Sequence, residues 1–271
     1  MIADTSVLIV IPAYNEAGSV GQVVAEVHEA APKVHVLVVD DASRDATAAR
    51  ARAAGADVVV NPINLGVGGA MRVGFRYARA NGYRAVVQVD GDGQHDSTYL
   101  ETILDDLEDD DVARVVIGAR FAGVGAYPVA PARRAAMWVL STYLSRATGV
   151  GLTDVTSGFR ASNREAIELF ATSYPTAYLA DTVESLALVA HHGGRVSQVP
   201  VAMRSRISGS PSQSNLKAAL HLARVATRLP FAGRSRQPVI DLQDRVRRLA
   251  EDLALVANEV ESLRPPEEHR Q

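Results

Sequence analysis

Short apolar runs alternate with helical spacings through the first 120 residues. Val7–Ile11, Val34–Val39, Val58–Val60, Ala85–Val89 and Val115–Gly118 are rich in β-branched residues and unbroken by charge, as strands covered on both faces are. Between the first two, Val20, Val23, Val24, Val27 and Ala31 recur at helical spacing. Ser19 and Gln22 read as a capping box at the start of that helix. Further helices are expected over Ala46–Ala54, stopped by Gly55, and Gly69–Ala80, stopped by Asn81-Gly82. This βαβ rhythm predicts an α/β fold with a mostly parallel sheet flanked by helices. Ligands of such sheets bind beyond the carboxyl ends of the strands.

The second half is less regular. Helices are expected over Arg133–Arg146, Arg164–Phe170, Thr182–His191 and Asn215–Leu229. Extended segments are expected at Gly158–Ser162 and Val196–Met203, with a polar turn at Ser208–Ser212. Near the end, Val239, Leu242, Val246, Leu249, Leu253, Val256, Val260 and Leu263 alternate spacings of three and four. That is a heptad seam, and it predicts a coiled-coil helix over 237–265 following a domain over 1–232.

Composition narrows the classes. Of the 271 residues, 47% are hydrophobic and 22% charged, which are globular values. Cysteine is absent, so disulfides, cysteine-ligated metals and thiol nucleophiles are excluded. The net charge of −3 does not favour nucleic acid as a partner. No run approaches the roughly 20 apolar residues of a membrane span. Asp4 rather than a basic region precedes the first apolar run, so no signal peptide is expected and the location expected is cytoplasmic. Between Glu184 and Asp241 there is no acidic residue but there are eight basic ones, a charge balance suited to an anionic membrane surface or an ordinary solvated helix.

The chemistry-bearing residues gather at strand ends. Asp90-Gly91-Asp92 follows the strand Ala85–Val89 directly, so two carboxylates enter the same crevice. Such a pair needs a cation, and hard oxygen donors suit Mg²⁺ or Mn²⁺, to which Gln94 can add a carbonyl oxygen. Asp40-Asp41 ends the second strand, where a carboxylate can accept from a base or a ribose, or else cap the next helix, a task open also to Ser43 or Asp45. After the first strand, Pro12 fixes the turn, Tyr14 offers a ring to stack on a base and Glu16 offers an acceptor. Together these describe a nucleotide pocket. Gly66-x-Gly68-Gly69 has the wrong spacing for a dinucleotide fingerprint and reads as a tight helix entry. The adjacent His191 and His192 point about 100° apart on a helix and do not chelate together.

Ile11–Glu16 (IPAYNE), Val38–Thr47 (VVDDASRDAT), Asn64–Ala70 (NLGVGGA), Val89–Asp96 (VDGDGQHD), Gly118–Arg120 (GAR) and Ser157–Arg160 (SGFR) resemble, in this order, inverting glycosyltransferases of family 2. The likeness is to the branch of polyprenyl-phosphate sugar synthases and spans about residues 5–230. It implies a GT-A fold, a UDP- or GDP-sugar donor, a divalent metal and a polyprenyl-phosphate acceptor. It also implies roles: Pro12, Tyr14 and Glu16 hold the nucleotide, Asp41 its base or ribose, and Asp90 lies along the nucleotide sugar. Asp92 and Gln94 ligate the metal, Arg120 and Arg133 grip the acceptor's phosphate, Arg206 stands near the diphosphate, and Glu184 lies at the sugar end. The chain departs from the branch at Met137, where Ser is frequent, and at Ser212, where Lys is frequent.

Two acceptor chemistries follow. A lipid phosphate is already anionic at neutral pH and needs no base. A sugar hydroxyl on a cell-envelope saccharide needs one, for which Asp181 or Glu184 is the candidate. A third possibility is a scaffold that binds the nucleotide sugar without turnover. The heptad tail predicts a homo-oligomer, or pairing with a membrane partner, and a lipid acceptor requires peripheral contact at the inner membrane face.

Overall fold

In the computed structural model the described residues are 4–107, 111–120, 131–176 and 180–207. Seven strands form one sheet among them: β1 (Val7–Ala13), β2 (His35–Asp40), β3 (Asp57–Val60), β4 (Ala85–Gln88), β5 (Arg114–Ala119), β6 (Arg160–Asn163) and β7 (Arg195–Pro200). The helices are α1 (Val20–Ala30), α2 (Thr47–Ala53), α3 (Gly66–Ala80), α4 (Leu100–Asp105), α5 (Pro131–Thr148), α6 (Arg164–Ser173) and α7 (Ala180–His191). The expected turn at Ser208–Ser212, the helix over Asn215–Leu229 and the heptad segment lie outside the described residues.

The strand order is β3-β2-β1-β4-β6-β5-β7. β1 is buried along its whole length because it is central and covered on both faces. Its side chains alternate between two cores. Leu8 and Val10 join Leu37, Val39, Val86, Met71, Phe75 and Phe170 on one face. Val7, Ile9 and Ile11 join Val36, Val38, Val87, Val24, Ile103 and Phe159 on the other. α3 lies close over β1 at Gly74, where any Cβ would collide with Val10.

All pairings are parallel except those of β6, which is inserted antiparallel between β4 and β5. The reversal matters for position. Gln88, the last residue of β4, pairs with Arg160, the first of β6. The Ser157–Phe159 turn therefore meets the carboxyl end of β4, where Asp90 begins its loop.

Three details differ from expectation. Ser19 stands at the N-cap of α1, but its backbone (φ −126°, ψ −36°) is not extended, and the capping box does not form. Its hydroxyl instead donates to the Glu16 carboxylate at 2.8 Å. α3 starts at Gly66, a turn earlier than the apolar spacing indicates, because the Asp41 carboxylate receives its first N–H groups. β7 stops at Pro200, leaving Met203 in a single bridge with His95. His192 follows the last turn of α7, its ring edge-on to that of His191, as the helix-end reading requires. Among the described residues no helix is long and apolar enough to cross a membrane.

Candidate active site

The carboxyl ends of β1 and β2 are stitched to each other. The backbone N–H of Asn15 donates to Ser43 Oγ at 2.9 Å, that of Arg44 to Asn15 Oδ1 at 2.8 Å, and that of Glu16 to Thr47 Oγ1 at 2.9 Å. Asp45, one residue before the N-cap Ala46, accepts from Thr47 N at the start of α2 and takes Ala17 N on its other oxygen. The tight geometry holds two residues in left-handed backbone, Asn15 (φ 55°) and Ala42 (φ 62°). Tyr14 stays 44% exposed beside this lattice, and Pro12 is buried in β1 with its carbonyl packed against Gly91.

Asp41 is buried and fully engaged. Its carboxylate accepts from Asn61 Nδ2 at 2.8 Å, from Leu65 N at 2.8 Å and from Gly66 N at 2.7 Å. These bonds make it the tether of the α3 entry rather than a cap of α2, the helix that follows it in sequence. Gly68, further along that entry, lets α3 close on the Pro175 carbonyl and on Asp181, which a Cβ would meet at 2.6 and 3.0 Å.

The β4 loop carries Asp90 and Asp92 in different surroundings. Asp90 is held by Gln88, whose Nε2 donates to Oδ1 at 3.1 Å, and its backbone N–H donates to His95 Nδ1 at 2.9 Å. The His95 Nε2 stands 3.6 Å from Asp90 Oδ2, so this buried ring embraces the residue from both sides. The ring stacks on Phe159 at 4.9 Å. Gly158 leaves room for the Asp90 carboxylate, whose oxygens lie 3.1 Å from where its Cβ would be. His95 stands inside the motif VDGDGQHD, but nothing in the spacing shows that it faces back onto Asp90.

Asp92 is buried. Its Oδ1 accepts from Gln94 N at 2.9 Å, and its Oδ2 pairs with Arg206 at 2.9 Å. Arg206 also reaches Glu16 Oε1 at 3.7 Å. Three loops thus converge on one guanidinium. The segment after β7 is laid along the β4 loop by two backbone bonds, Arg204 N to Gln94 O and Ile207 N to Asp92 O. Burial pushes the pKa values of Asp92 and Glu16 up, and neighbouring negative charge adds to it: Asp90 acts on Asp92, and Asp92 on Glu16. Gln94 enters this geometry through its backbone.

The donor set bears on a cation. Among the described residues no three His, Asp or Glu side chains gather into a metal nest. What the β4 loop offers is one buried carboxylate, Asp92, with Asp90 beside it and more negative than positive charge around them. That fits Mg²⁺ or Mn²⁺, which accepts one or two carboxylates and completes its shell with water and phosphate oxygens.

The remaining candidates lie toward β6 and α7. Arg120 is clamped by buried Asp154, Nε to Oδ2 at 2.6 Å and Nη2 to Oδ1 at 2.8 Å, and donates to Thr156 Oγ1 at 2.8 Å. Arg133 lies in the first turn of α5. Met137 is a core residue, packed with Leu140 and Leu144. Asp181 is almost wholly buried, and burial raises its pKa to about 6 against the lowering effect of Arg160. Glu184 is half-buried one turn on. Arg160, buried at the start of β6, donates to the carbonyls of Ser157 (2.7 Å), Thr182 (2.6 Å) and Val155 (2.8 Å) and to Ser185 Oγ (3.1 Å). It fastens the start of α7 to the β6 turn. Asp154 was not singled out in the sequence and Arg160 entered only as the end of the SGFR motif, since the partners that give them their roles, Arg120 and the start of α7, are distant in the chain.

Residues 8–170 match the family model described as glycosyl transferase family 2. The chain is 33% identical to the polyprenol monophosphomannose synthase of Mycolicibacterium smegmatis, over 79% of this chain and 83% of that protein. It is 34% identical to the undecaprenyl-phosphate mannosyltransferase of Micrococcus luteus, over 77% of this chain and 87% of that protein. Among solved structures, it is similar to Mycobacterium tuberculosis glucosyl-3-phosphoglycerate synthase in complex with Mn²⁺, UDP and glucosyl-3-phosphoglycerate, with a TM-score of 0.62 at 20% identity, covering 84% of this chain and 79% of that one. Mannosyl-3-phosphoglycerate synthase from Rubrobacter xylanophilus superposes with a TM-score of 0.60 at 22% identity, covering 86% and 76%.

Proposed function

We propose a reaction from one premise: the chain belongs to glycosyl transferase family 2 and is a glycosyltransferase of GT-A fold. The reaction is transfer of a sugar from a UDP- or GDP-sugar to a polyprenyl phosphate, with inversion at the anomeric carbon. Two relatives whose names give polyprenyl-phosphate mannosyl transfer, each matched over more than three quarters of this chain, support the acceptor class. The observation that carries the reading is the convergence of Glu16, Asp92 and Arg206 at the carboxyl ends of the strands.

The hard step is departure of the nucleoside diphosphate. Negative charge grows on its β-phosphate as the carbon–oxygen bond breaks, and donors already aimed at that charge lower the barrier most. Arg206 takes this role and exchanges part of its pairing with Asp92 for the phosphate. Asp92, with Gln94 beside it, would hold a divalent cation, which supplies neutralisation of the leaving diphosphate. Tyr14, Pro12, Glu16 and Asp41 line the nucleotide side, with Asp41 acting through the α3 entry that it tethers. Asp90, oriented by Gln88 and His95, lies along the sugar. An oxygen of the acceptor's phosphate attacks the opposite face of the anomeric carbon. It is anionic at neutral pH, so no side chain need take a proton. Arg133 and Arg120 hold it, the Asp154 clamp fixing the direction of the Arg120 fork. The reaction is placed at the inner membrane face.

One observation favours a second reading. Asp181, with its pKa near 6, is tuned as a general base, which only a hydroxyl acceptor requires. Both readings are tested by incubating the full chain with labelled UDP- and GDP-sugars, Mn²⁺ or Mg²⁺, and polyprenyl phosphate or saccharide acceptors. Label in organic-extractable lipid, lowered about a thousandfold by Asp92→Asn and little changed by Asp181→Asn, supports the lipid phosphate. Label that stays in water-soluble saccharide and is lost with Asp181→Asn overturns it.

A further inference from the structure

The chain has a single tryptophan, Trp138, and it is 69% exposed. It stands on α5, whose opposite face is buried through Met137, Leu140 and Leu144. On a helix of 3.6 residues per turn, Trp138, Val139, Thr142 and Arg146 fall within an arc of about 100°. Val139 is 48% exposed, and Val150, just beyond the helix, is 38% exposed. A large aromatic ring held outward next to exposed valines is a cost in water unless something covers it.

Charge says what that cover is. α5 contains Arg133, Arg134 and Arg146 and no acidic residue, and none occurs anywhere between Asp111 and Asp154. A protein partner's core would disfavour that density of like charge, whereas an anionic headgroup layer attracts it. Tryptophan, with an apolar body and one N–H donor, is the side chain that settles at the boundary between headgroups and acyl chains. Arg146 lies within that arc and the Arg134 position about 40° from Trp138, whereas the Arg133 position falls with Leu140 and Leu144 on the other side.

We infer that the outward face of α5, centred on Trp138, is a docking surface for an anionic lipid bilayer. This rests on the lipid-phosphate reading for its setting. The face was not evident in the sequence. The basic stretch after Glu184 is the segment whose charge points to a membrane, and the apolar stripe of α5, Met137, Leu140 and Leu144, lies on its buried face.

The sole tryptophan makes the test direct. The full-length protein is titrated with vesicles of phosphatidylcholine containing phosphatidylglycerol, and with phosphatidylcholine alone. The expected result is a blue shift of emission and loss of iodide quenching with the anionic vesicles only. Brominated acyl chains then quench Trp138. In a vesicle-sedimentation assay Trp138→Ala lowers partitioning about tenfold, or about 1.4 kcal/mol, while its thermal unfolding matches the parent, as an exposed site allows. Binding with unchanged emission overturns the proposal, because another surface then meets the lipid. Emission already blue-shifted and shielded without vesicles overturns it too, because protein then covers the face. Lipid binding through Trp138 with only water-soluble product leaves this face intact and removes the acceptor reading. Lipid-linked product without Trp138 insertion does the reverse.

Discussion

The carboxyl end of β2 and the junction of β6 with α7 both bury carboxylates, and they do it in opposite ways. At β2, Asp41 is met by three N–H donors from residues 61–66, and Asp40 and Asp45 accept from the turn that follows. Every lone pair in use finds a local donor, so the region is a rigid scaffold. At the junction, Arg160 directs its donors to carbonyls and a hydroxyl, while Asp181, nearby, is held against its own ionisation. Charge buried without full compensation is costly, and such sites persist where an activity needs them. The comparison teaches that the β2 side is built for geometry and the α7 side for poised charge.

The largest effect is expected at Arg160. Arg160→Met removes a cation that donates to four acceptors, on Val155, Ser157, Thr182 and Ser185, of which Thr182 O keeps the Ser185 hydroxyl as a donor. Denaturant unfolding should show a loss of about 3–5 kcal/mol. A loss below about 1 kcal/mol would mean that water replaces the guanidinium and that the junction is not sealed.

Asp181→Asn should act in the other direction. The folded-state pKa of Asp181 is raised from 3.8 to about 6, so the native state binds the proton more tightly than the unfolded chain. Its contribution is therefore favourable at low pH and is lost as pH rises from about 4 to about 6. The amide avoids that loss, stabilising by up to about 3 kcal/mol at pH 7.5 and by almost nothing at pH 4. Melting curves at the two pH values decide this. Equal shifts at both would show that the gain has nothing to do with ionisation.

The smallest effect belongs to the scaffold. Ala42 is held at φ 62°, where a Cβ is disfavoured. Ala42→Gly should raise stability by about 1 kcal/mol and leave donor binding unchanged. If it destabilises, the strain at β2 is smaller than the entropy that glycine adds to the unfolded chain.

The strands were legible in sequence because burial on both faces writes an unbroken apolar run, and β1, β2, β4 and β5 are such runs. So were the loops at their carboxyl ends, since Asp41, Asp90 and Asp92 follow directly on those runs. The capping box at Ser19 failed because a local pattern does not reveal that Glu16 is half-buried and claims the hydroxyl. His95 and Arg160 were missed in role for a related reason. Each looks ordinary beside its neighbours in the chain, and its meaning depends on what the sheet brings next to it.

Sequence by itself determined the βαβ alternation, the acidic strand ends and the family likeness, because these are written in spacings of a few residues. Tertiary structure alone decided that β6 runs antiparallel between β4 and β5, that Arg206 crosses to Asp92 over more than a hundred residues, and that Asp181 ends up in the dark beside Arg160. The physical reason is range. Periodicity reports which side of a segment avoids water, but the electrostatic character of a buried group is set by neighbours that only folding supplies.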